Sequence, residues 1–217
     1  MGGQVTGRAI LIGAADDGTR LDYLKRQLRP NDFLICADGG RNLAERSGLR
    51  PDWYVGDNDS GGRPDRLPST LLPPEKDVTD LEMAVHQALA LGYREMLLAA
   101  CTGGRADHHL ANLGLLEEIS RLGAQGTLVD PYNEIRFLTP GHYRVENVPF
   151  YRYLSLIPLD EEITGVTLSG VKYELQNAVL RRGSTLSVSN EILDSHCAEI
   201  SIATGRVYLI RSNPTSR

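Results

Sequence analysis

Two aspartates, Asp57 and Asp59, stand two residues apart behind a glycine in the segment "VGDNDS" at 55–60, where the apolar run "WYVGD" leaves the core. Other acidic positions occupy comparable places. "FLICAD" delivers Asp38, followed by Gly39 and Gly40 at a helix entrance. "KDVTD" at 76–80 carries Asp77 and Asp80 three residues apart, on one face near a helix start. "MLLAAC" runs into Thr102-Gly103-Gly104-Arg105 and then Asp107. Carboxylates crowded into one cleft repel one another unless a cation is present. Oxygen ligands without His or Cys suit Mg²⁺ or Mn²⁺ better than zinc. Arg105 at a helix N-terminus suits a phosphate, because exposed N–H groups and a guanidinium both favour anions, and Lys76 suits the same task. The chemistry this set supports is metal-assisted work on a nucleotide.

Each position also has a plainer reading. Asp77 and Asp80 fit a helix cap, and Asp38 before two glycines fits a turn. "DNDSG" starts like an EF-hand, but the twelfth position of that loop is Pro68 instead of a bidentate Glu. Four acidic positions expected at one sheet edge are harder to explain separately than together. The segment Gly13 to Arg20 lacks the lysine of a Walker A loop, and no GxGxxG occurs. His108 and His109 are adjacent on a helix and point in different directions, so they do not share a metal; one of them serves the helix start. No nucleophile set of Cys, Ser and His is recognisable.

These residues need elements that bring them to one edge. From the start to residue 138, apolar runs at 9–14, 33–38, 53–57, 96–101, 127–130 and 135–138 alternate with helical segments near 19–28, 40–47, 79–91 and 107–122. The last two helices carry apolar residues at helical spacing, among them Leu81, Val85 and Ala88, then Leu110, Leu113, Leu116 and Ile119. Near-continuous apolar strands between helices predict a mainly parallel, doubly wound sheet covered on both faces. Such a sheet binds ligands beyond the carboxyl ends of its strands. The Gly/Pro-rich stretch 61–74 reads as a surface loop. After Pro140 the pattern changes to short alternating strands with Gly-containing turns, which predicts an antiparallel sandwich or barrel. The expected organisation is an α/β domain over 1–138, holding nucleotide and metal, and an all-β domain over 139–217.

Composition bounds the partners. The 217 residues are 41% hydrophobic and 24% charged, enough for a sizeable core. A net charge of −5 without a basic cluster argues against a nucleic-acid surface. The N-terminal apolar run is too short and too soon broken for a signal peptide or membrane helix. Cys36, Cys101 and Cys197 are odd in number and widely spaced, which reads as free thiols in the cytoplasm.

Five segments occur in order: "ADGG" (37–40), "PDWYVGDNDS" (51–60), "KDVTDLEMAV" (76–85), "TGGRADHHLANLGLL" (102–116) and "SVSNE" (187–191). Together they resemble the thiamine pyrophosphokinase family, over residues 10 to 210. The resemblance implies transfer of a pyrophosphoryl group from ATP to the hydroxyl of thiamine, with release of AMP. It also implies a homodimer with active sites between subunits, the β domain supplying thiamine contacts. Position by position, Asp38, Asp57, Asp59 and Asp80 match the acidic magnesium and phosphate site. Gly39, Lys76, Thr79, Thr102, Gly103 and Arg105 come from the same matched segments and are expected around the nucleotide. Asp107 matches a contact to the thiamine aminopyrimidine, and Ser187, Ser189 and Asn190 match the lining of the thiamine pocket. Asn58 and Ser187 stand where family members commonly carry an apolar residue and a glycine.

Three other readings compete. A pyrophosphokinase acting on a hydroxymethyl-pterin shares the acidic site, but the "SNE" segment favours thiamine. A non-catalytic sensor of thiamine or nucleotide would lack a magnesium-binding Asp, and all four are present. A scaffold with solvated acidic turns has no reason to carry five ordered motifs.

Overall fold

A computed structural model describes residues 5–15, 21–57, 67–71, 77–193 and 197–214. The chain divides into two compact units, Met1–Pro131 and Tyr132–Arg217.

The first unit alternates strands and helices: β1 (Ala9–Ile12), α1 (Asp22–Lys25), β2 (Phe33–Ala37), α2 (Gly40–Arg46), β3 (Trp53–Gly56), β4 (Ser69–Leu71), α3 (Asp80–Ala90), β5 (Glu95–Ala99), α4 (Ala106–Arg121) and β6 (Gln125–Val129). Its strands lie in the order β4-β3-β2-β1-β5-β6, and every neighbouring pair is parallel. Apolar sequence without alternation is what a strand covered on both faces requires. Ala9, Ile10, Leu11 and Ile12 of β1 are fully buried at its centre. Each Leu or Ile so buried contributes roughly 1.5–3 kcal/mol. Gly40 lets α2 close on β1, since a Cβ there would sit 2.2 Å from the Ile12 carbonyl oxygen. At the opposite, amino edge, buried Arg8 and Asp32 form an ion pair at 2.9 Å, and the Arg29 N–H donates to the same carboxylate.

Two sequence expectations change here. Ser69–Leu71, inside the stretch read as loop, is an edge strand parallel to β3. The run at 135–138 belongs to the second unit, because β7 (Asn133–Leu138) pairs antiparallel with β13 (Val207–Ser212). An apolar run carries no mark of its partner's direction, and this partner lies some seventy residues on.

The second unit adds β8 (Gly141–Glu146), β9 (Tyr153–Pro158), β10 (Glu162–Ser169), β11 (Leu175–Arg181) and β12 (Cys197–Ile202). The strand β13 pairs antiparallel with both β7 and β9. The remaining strands form a four-stranded antiparallel sheet in the order β11-β10-β12-β8. Leu154, Leu156, Val207 and Leu209 from the first set pack with Val166, Leu168, Ala198 and Ile200 from the second in one core. Alternate residues turned inward from both sheets produce this sandwich.

Candidate active site

All strands of the first unit run the same way, so their exits share one edge. The chain steps outward from β1 through β2 and β3 to β4 and then returns to lay β5 on the other side of β1. Strand order therefore reverses between β1 and β5, and open α/β sheets bind ligands in the crevice at that point.

Asp38 leaves β2 beside the end of β3, its N–H donating to the Val55 carbonyl at 2.9 Å. Its backbone is left-handed, with φ of 47°, a conformation rare outside glycine and most tolerable for Asn and Asp. One carboxylate oxygen, Oδ1, is buried with no hydrogen-bond partner. A buried, unpartnered carboxylate oxygen is costly. Gly39 is the N-cap residue of α2. Asp57 follows β3, half-buried. Asp59 and Lys76 lie outside the described residues. Asp80 is the first residue of α3, and the cap before it is Thr79, whose hydroxyl accepts from the Glu82 N–H at 3.2 Å. The capping task foreseen for the aspartates thus falls to Thr79. A chain of hydrogen bonds fixes α3 to β3 and β4: Trp53 Nε1 donates to Thr70 Oγ1 at 3.0 Å, and Thr70 to Gln87 Oε1 at 2.8 Å. This holds the elements that carry Asp57 and Asp80. Among the described residues, no three His, Cys, Asp or Glu side chains form a group able to hold a metal ion.

The loop after β5, which carries the expected Thr102 and Gly103, is held by His109, Asn112, Asp130 and Tyr23, which the sequence reading did not place in the site. Gly103 and Gly104 adopt φ of 85° and 64°, which glycine permits without strain. The Gly103 N–H donates to His109 Nδ1 at 3.2 Å, Asn112 Nδ2 donates to the Cys101 carbonyl at 2.9 Å, and Thr102 Oγ1 donates to Asp130 Oδ2 at 3.1 Å. His109 is thus the histidine that serves the helix start. Ala100, also left-handed at φ 55°, donates its N–H to the Tyr23 hydroxyl at 3.1 Å. The available signal for Asp130 was its place at the end of "TLVD", matching Asp38 and Asp57 on their strands.

Arg105, the extended N-cap residue of α4, forks onto Asp107 in the first turn, with Nη2 2.6 Å from Oδ2. Hydrogen bonding from the guanidinium, aided by the His108 N–H, holds the Asp107 carboxyl well below its usual range, at about 2. Of the apolar stripe expected on α4, Leu116 and Ile119 are buried while Leu110 is exposed. Burial pushes the Cys36 and Cys101 thiols up to about 12, so neither is a nucleophile.

In the second unit, Ser187 and Asn190 are buried and Ser189 is exposed. Ser187 Oγ donates to the Leu156 carbonyl at 2.6 Å. Asn190 Oδ1 accepts from the Tyr173 and Glu191 N–H groups at 3.0 and 2.9 Å, and its Nδ2 donates to the Tyr173 carbonyl at 2.7 Å. Ser189 has φ of 60°, and its N–H donates to Ser155 Oγ. Two of the three expected pocket residues therefore bind their own backbone and shape the segment that displays Ser189.

Residues 24–125 match the family model "Thiamin pyrophosphokinase, catalytic domain", and residues 142–207 match "Thiamin pyrophosphokinase, vitamin B1 binding domain". The thiamine pyrophosphokinase of Bacillus subtilis (strain 168) is 37% identical over 185 residues, covering 82% of this chain and 86% of that protein. The chain belongs to the thiamin pyrophosphokinase family. Solved members of the family share its fold. The crystal structure of thiamine pyrophosphokinase from Bacillus subtilis superposes with a TM-score of 0.86 at 30% identity, over 96% of this chain and all (100%) of that one. The enzyme from Geobacillus thermodenitrificans gives 0.84 at 31% identity, over 97% and 99%. The catalytic-domain match spans Asp38 to Asp107, and the vitamin B1 binding match spans Ser187 to Asn190. Asp130 falls between the two matched segments.

Proposed function

We propose that this chain is a thiamine pyrophosphokinase, transferring the pyrophosphoryl group of ATP to the hydroxyl of thiamine to give thiamine diphosphate and AMP. The observation that carries the reading is the ordered match to both family domains at 37% identity to the Bacillus enzyme. The hydroxyl oxygen attacks the β-phosphorus, the bond from that phosphorus to the α–β bridging oxygen breaks, and the hydroxyl proton passes to a site carboxylate. Asp38, Asp57, Asp59 and Asp80 are the residues we assign to Mg²⁺. The unpartnered, buried Oδ1 of Asp38 and an all-oxygen donor set fit that ion. When bound, Mg²⁺ supplies neutralisation of charge on the polyphosphate oxygens.

The chain's own groups do the rest. Gly39, Thr79, Thr102 and Gly103, and Lys76 by its place in the matched segment, are assigned to the nucleotide, and Arg105 to the charge that develops on its phosphates. Holding two substrates in line contributes roughly 7–11 kcal/mol in favourable cases. Asp107 and Ser189 are assigned to thiamine, with Ser187 and Asn190 shaping the pocket. Three free cysteines support a cytoplasmic setting, and among the described residues no helix is long and apolar enough to cross a membrane. Following the family resemblance, we take the working form to be a homodimer.

Incubation with ATP, Mg²⁺ and thiamine, followed by chromatography, tests the reading. AMP should appear in step with thiamine diphosphate and only when thiamine is present. ADP with thiamine monophosphate, or AMP formed only with a hydroxymethyl-pterin, would refute it.

A further inference from the structure

Two side chains three residues apart on one face of α4 clasp the turn that follows β5. His109 Nδ1 accepts from the Gly103 N–H at 3.2 Å, and Asn112 Nδ2 donates to the Cys101 carbonyl at 2.9 Å. Gly103 and Gly104 are both left-handed, at φ of 85° and 64°, and a Cβ placed on either would meet no atom within 4 Å. Neither glycine is there to make room for a neighbour. Hydrogen bonds, not packing, decide where Gly103 points its N–H. The two clasps differ in one respect. An amide keeps its charge at every pH, whereas an imidazole nitrogen accepts a hydrogen bond only while it is unprotonated. With Nδ1 accepting, the ring of His109 is neutral and carries its proton on Nε2.

We propose that His109 is a positioning residue whose neutral imidazole holds the turn at 102–105 in its working form, and that protonation of the ring releases Gly103. The proposal rests on the assignment of Thr102 and Gly103 to the nucleotide and adds a dependence of that site on pH. Once protonated, His109 presents an N–H where it now presents a lone pair, so donor faces donor and the contact is lost. Asn112 keeps its hold on Cys101, which confines the loosening to Gly103 and its neighbours. Arg105, Asp107 and His108 share the head of α4 with His109. Asp130, after β6, holds Thr102, Tyr23 of α1 holds the Ala100 N–H, and Cys101 stands in the turn itself. Asp107 titrates at about 2 and Cys101 at about 12, so neither changes charge where histidine does. His108 is exposed and is the group from which His109 must be told apart.

His109→Asn sets an amide oxygen one bond from Cγ, as Nδ1 is, and so keeps an acceptor that pH does not alter; His109→Ala removes it. NMR of the isotope-labelled chain is read first. As His109 titrates, the Gly103 amide resonance should move with the same midpoint, and in His109→Asn it should stay still across that range. A Gly103 amide that ignores the titration of His109 overturns the proposal. Turnover is read second, as KM for ATP in the unaltered chain divided by KM in His109→Asn at each pH, which cancels the titration of ATP itself. That ratio should rise from about one to about five as pH falls through the His109 midpoint, as expected for the loss of one hydrogen bond. His109→Ala should carry the raised KM at every pH, and His108→Gln should leave the rise in place. A ratio that stays at one, a rise abolished by His108→Gln, or a low KM in His109→Ala overturns the positioning role. A chain that forms no AMP with thiamine loses the pyrophosphokinase reading, while the NMR comparison still decides whether His109 holds the turn.

Discussion

Arg105 and Asp107 hold one another at the head of α4, with Nη2 2.6 Å from Oδ2 and Nε 3.2 Å from Oδ1. One is assigned to phosphate and the other to thiamine, yet here each satisfies the other. Both side chains are exposed, and an exposed pair is weak enough to open when substrates compete for its members. The pair keeps two opposite charges ready at the site without leaving either alone.

That relationship sets a titration. The Asp107 carboxyl should ionise with a midpoint of about 2 rather than its ordinary 3.8. A lowered folded-state value means that the stabilisation is present above the unfolded value and is lost as pH falls through about 2. Carboxyl carbon chemical shifts, followed by NMR across that range, measure it. Arg105→Gln should return the midpoint toward the ordinary value. A midpoint near 4 in the unaltered chain would mean that the pair does not persist in solution.

If Asp38 is a metal ligand, as proposed, it should trade stability for function. Asp38→Asn keeps a residue suited to the left-handed backbone and removes a buried charge whose Oδ1 has no partner. The metal-free variant should therefore unfold at higher denaturant concentration, by about 1 kcal/mol in stability, and turn over at least ~100-fold more slowly, as expected if a metal ligand is lost. Asp57→Asn should show a comparable loss of turnover. Added Mg²⁺ should raise the melting temperature of the unaltered chain and leave Asp38→Asn unmoved.

Arg8 and Asp32 lie at the amino edge of the sheet, opposite the strand exits. Their side chains are 7% and 2% exposed, and Arg8 also donates to the Gln27 carbonyl. Removing one partner leaves a charge buried and uncompensated, so Asp32→Ala should cost about 3–5 kcal/mol in urea unfolding. Turnover per folded molecule should stay unchanged. A loss of turnover with stability intact would contradict this division between the two edges.

Asn190→Ala removes two hydrogen bonds that join the "SVSNE" segment to Tyr173 and one inside the segment, to the Glu191 N–H. Two N–H groups then lose their acceptor, which should lower stability by about 3 kcal/mol. If the segment shapes the thiamine pocket, KM for thiamine should rise while KM for ATP holds. Equal rises in both would point to general disorder of the variant.

Much of this was legible in the residues. Uninterrupted apolar runs between helical segments report strands covered on both faces, and alternation after Pro140 reports an antiparallel sandwich. Periodicity is local, so it survives without knowledge of partners. The strand-end places of Asp38 and Asp57 were readable for the same reason: each ends a recognisable run, and a parallel sheet sends all its exits to one edge. The five ordered segments carried the family. What only the tertiary structure decided is who meets whom. The run at 135–138 pairs with Val207–Ser212, Ser69–Leu71 joins the edge of the parallel sheet, and Asp130 reaches Thr102 across 28 residues. Leu110 looks like core by spacing and stands in solvent, because helical spacing names a face without saying what covers it. Ser187 and Asn190 look like pocket residues and spend their hydrogen bonds on backbone. Side-chain type and spacing specify local conformation; pairing and burial depend on groups distant in the chain, and these appear only once the chain has closed on itself.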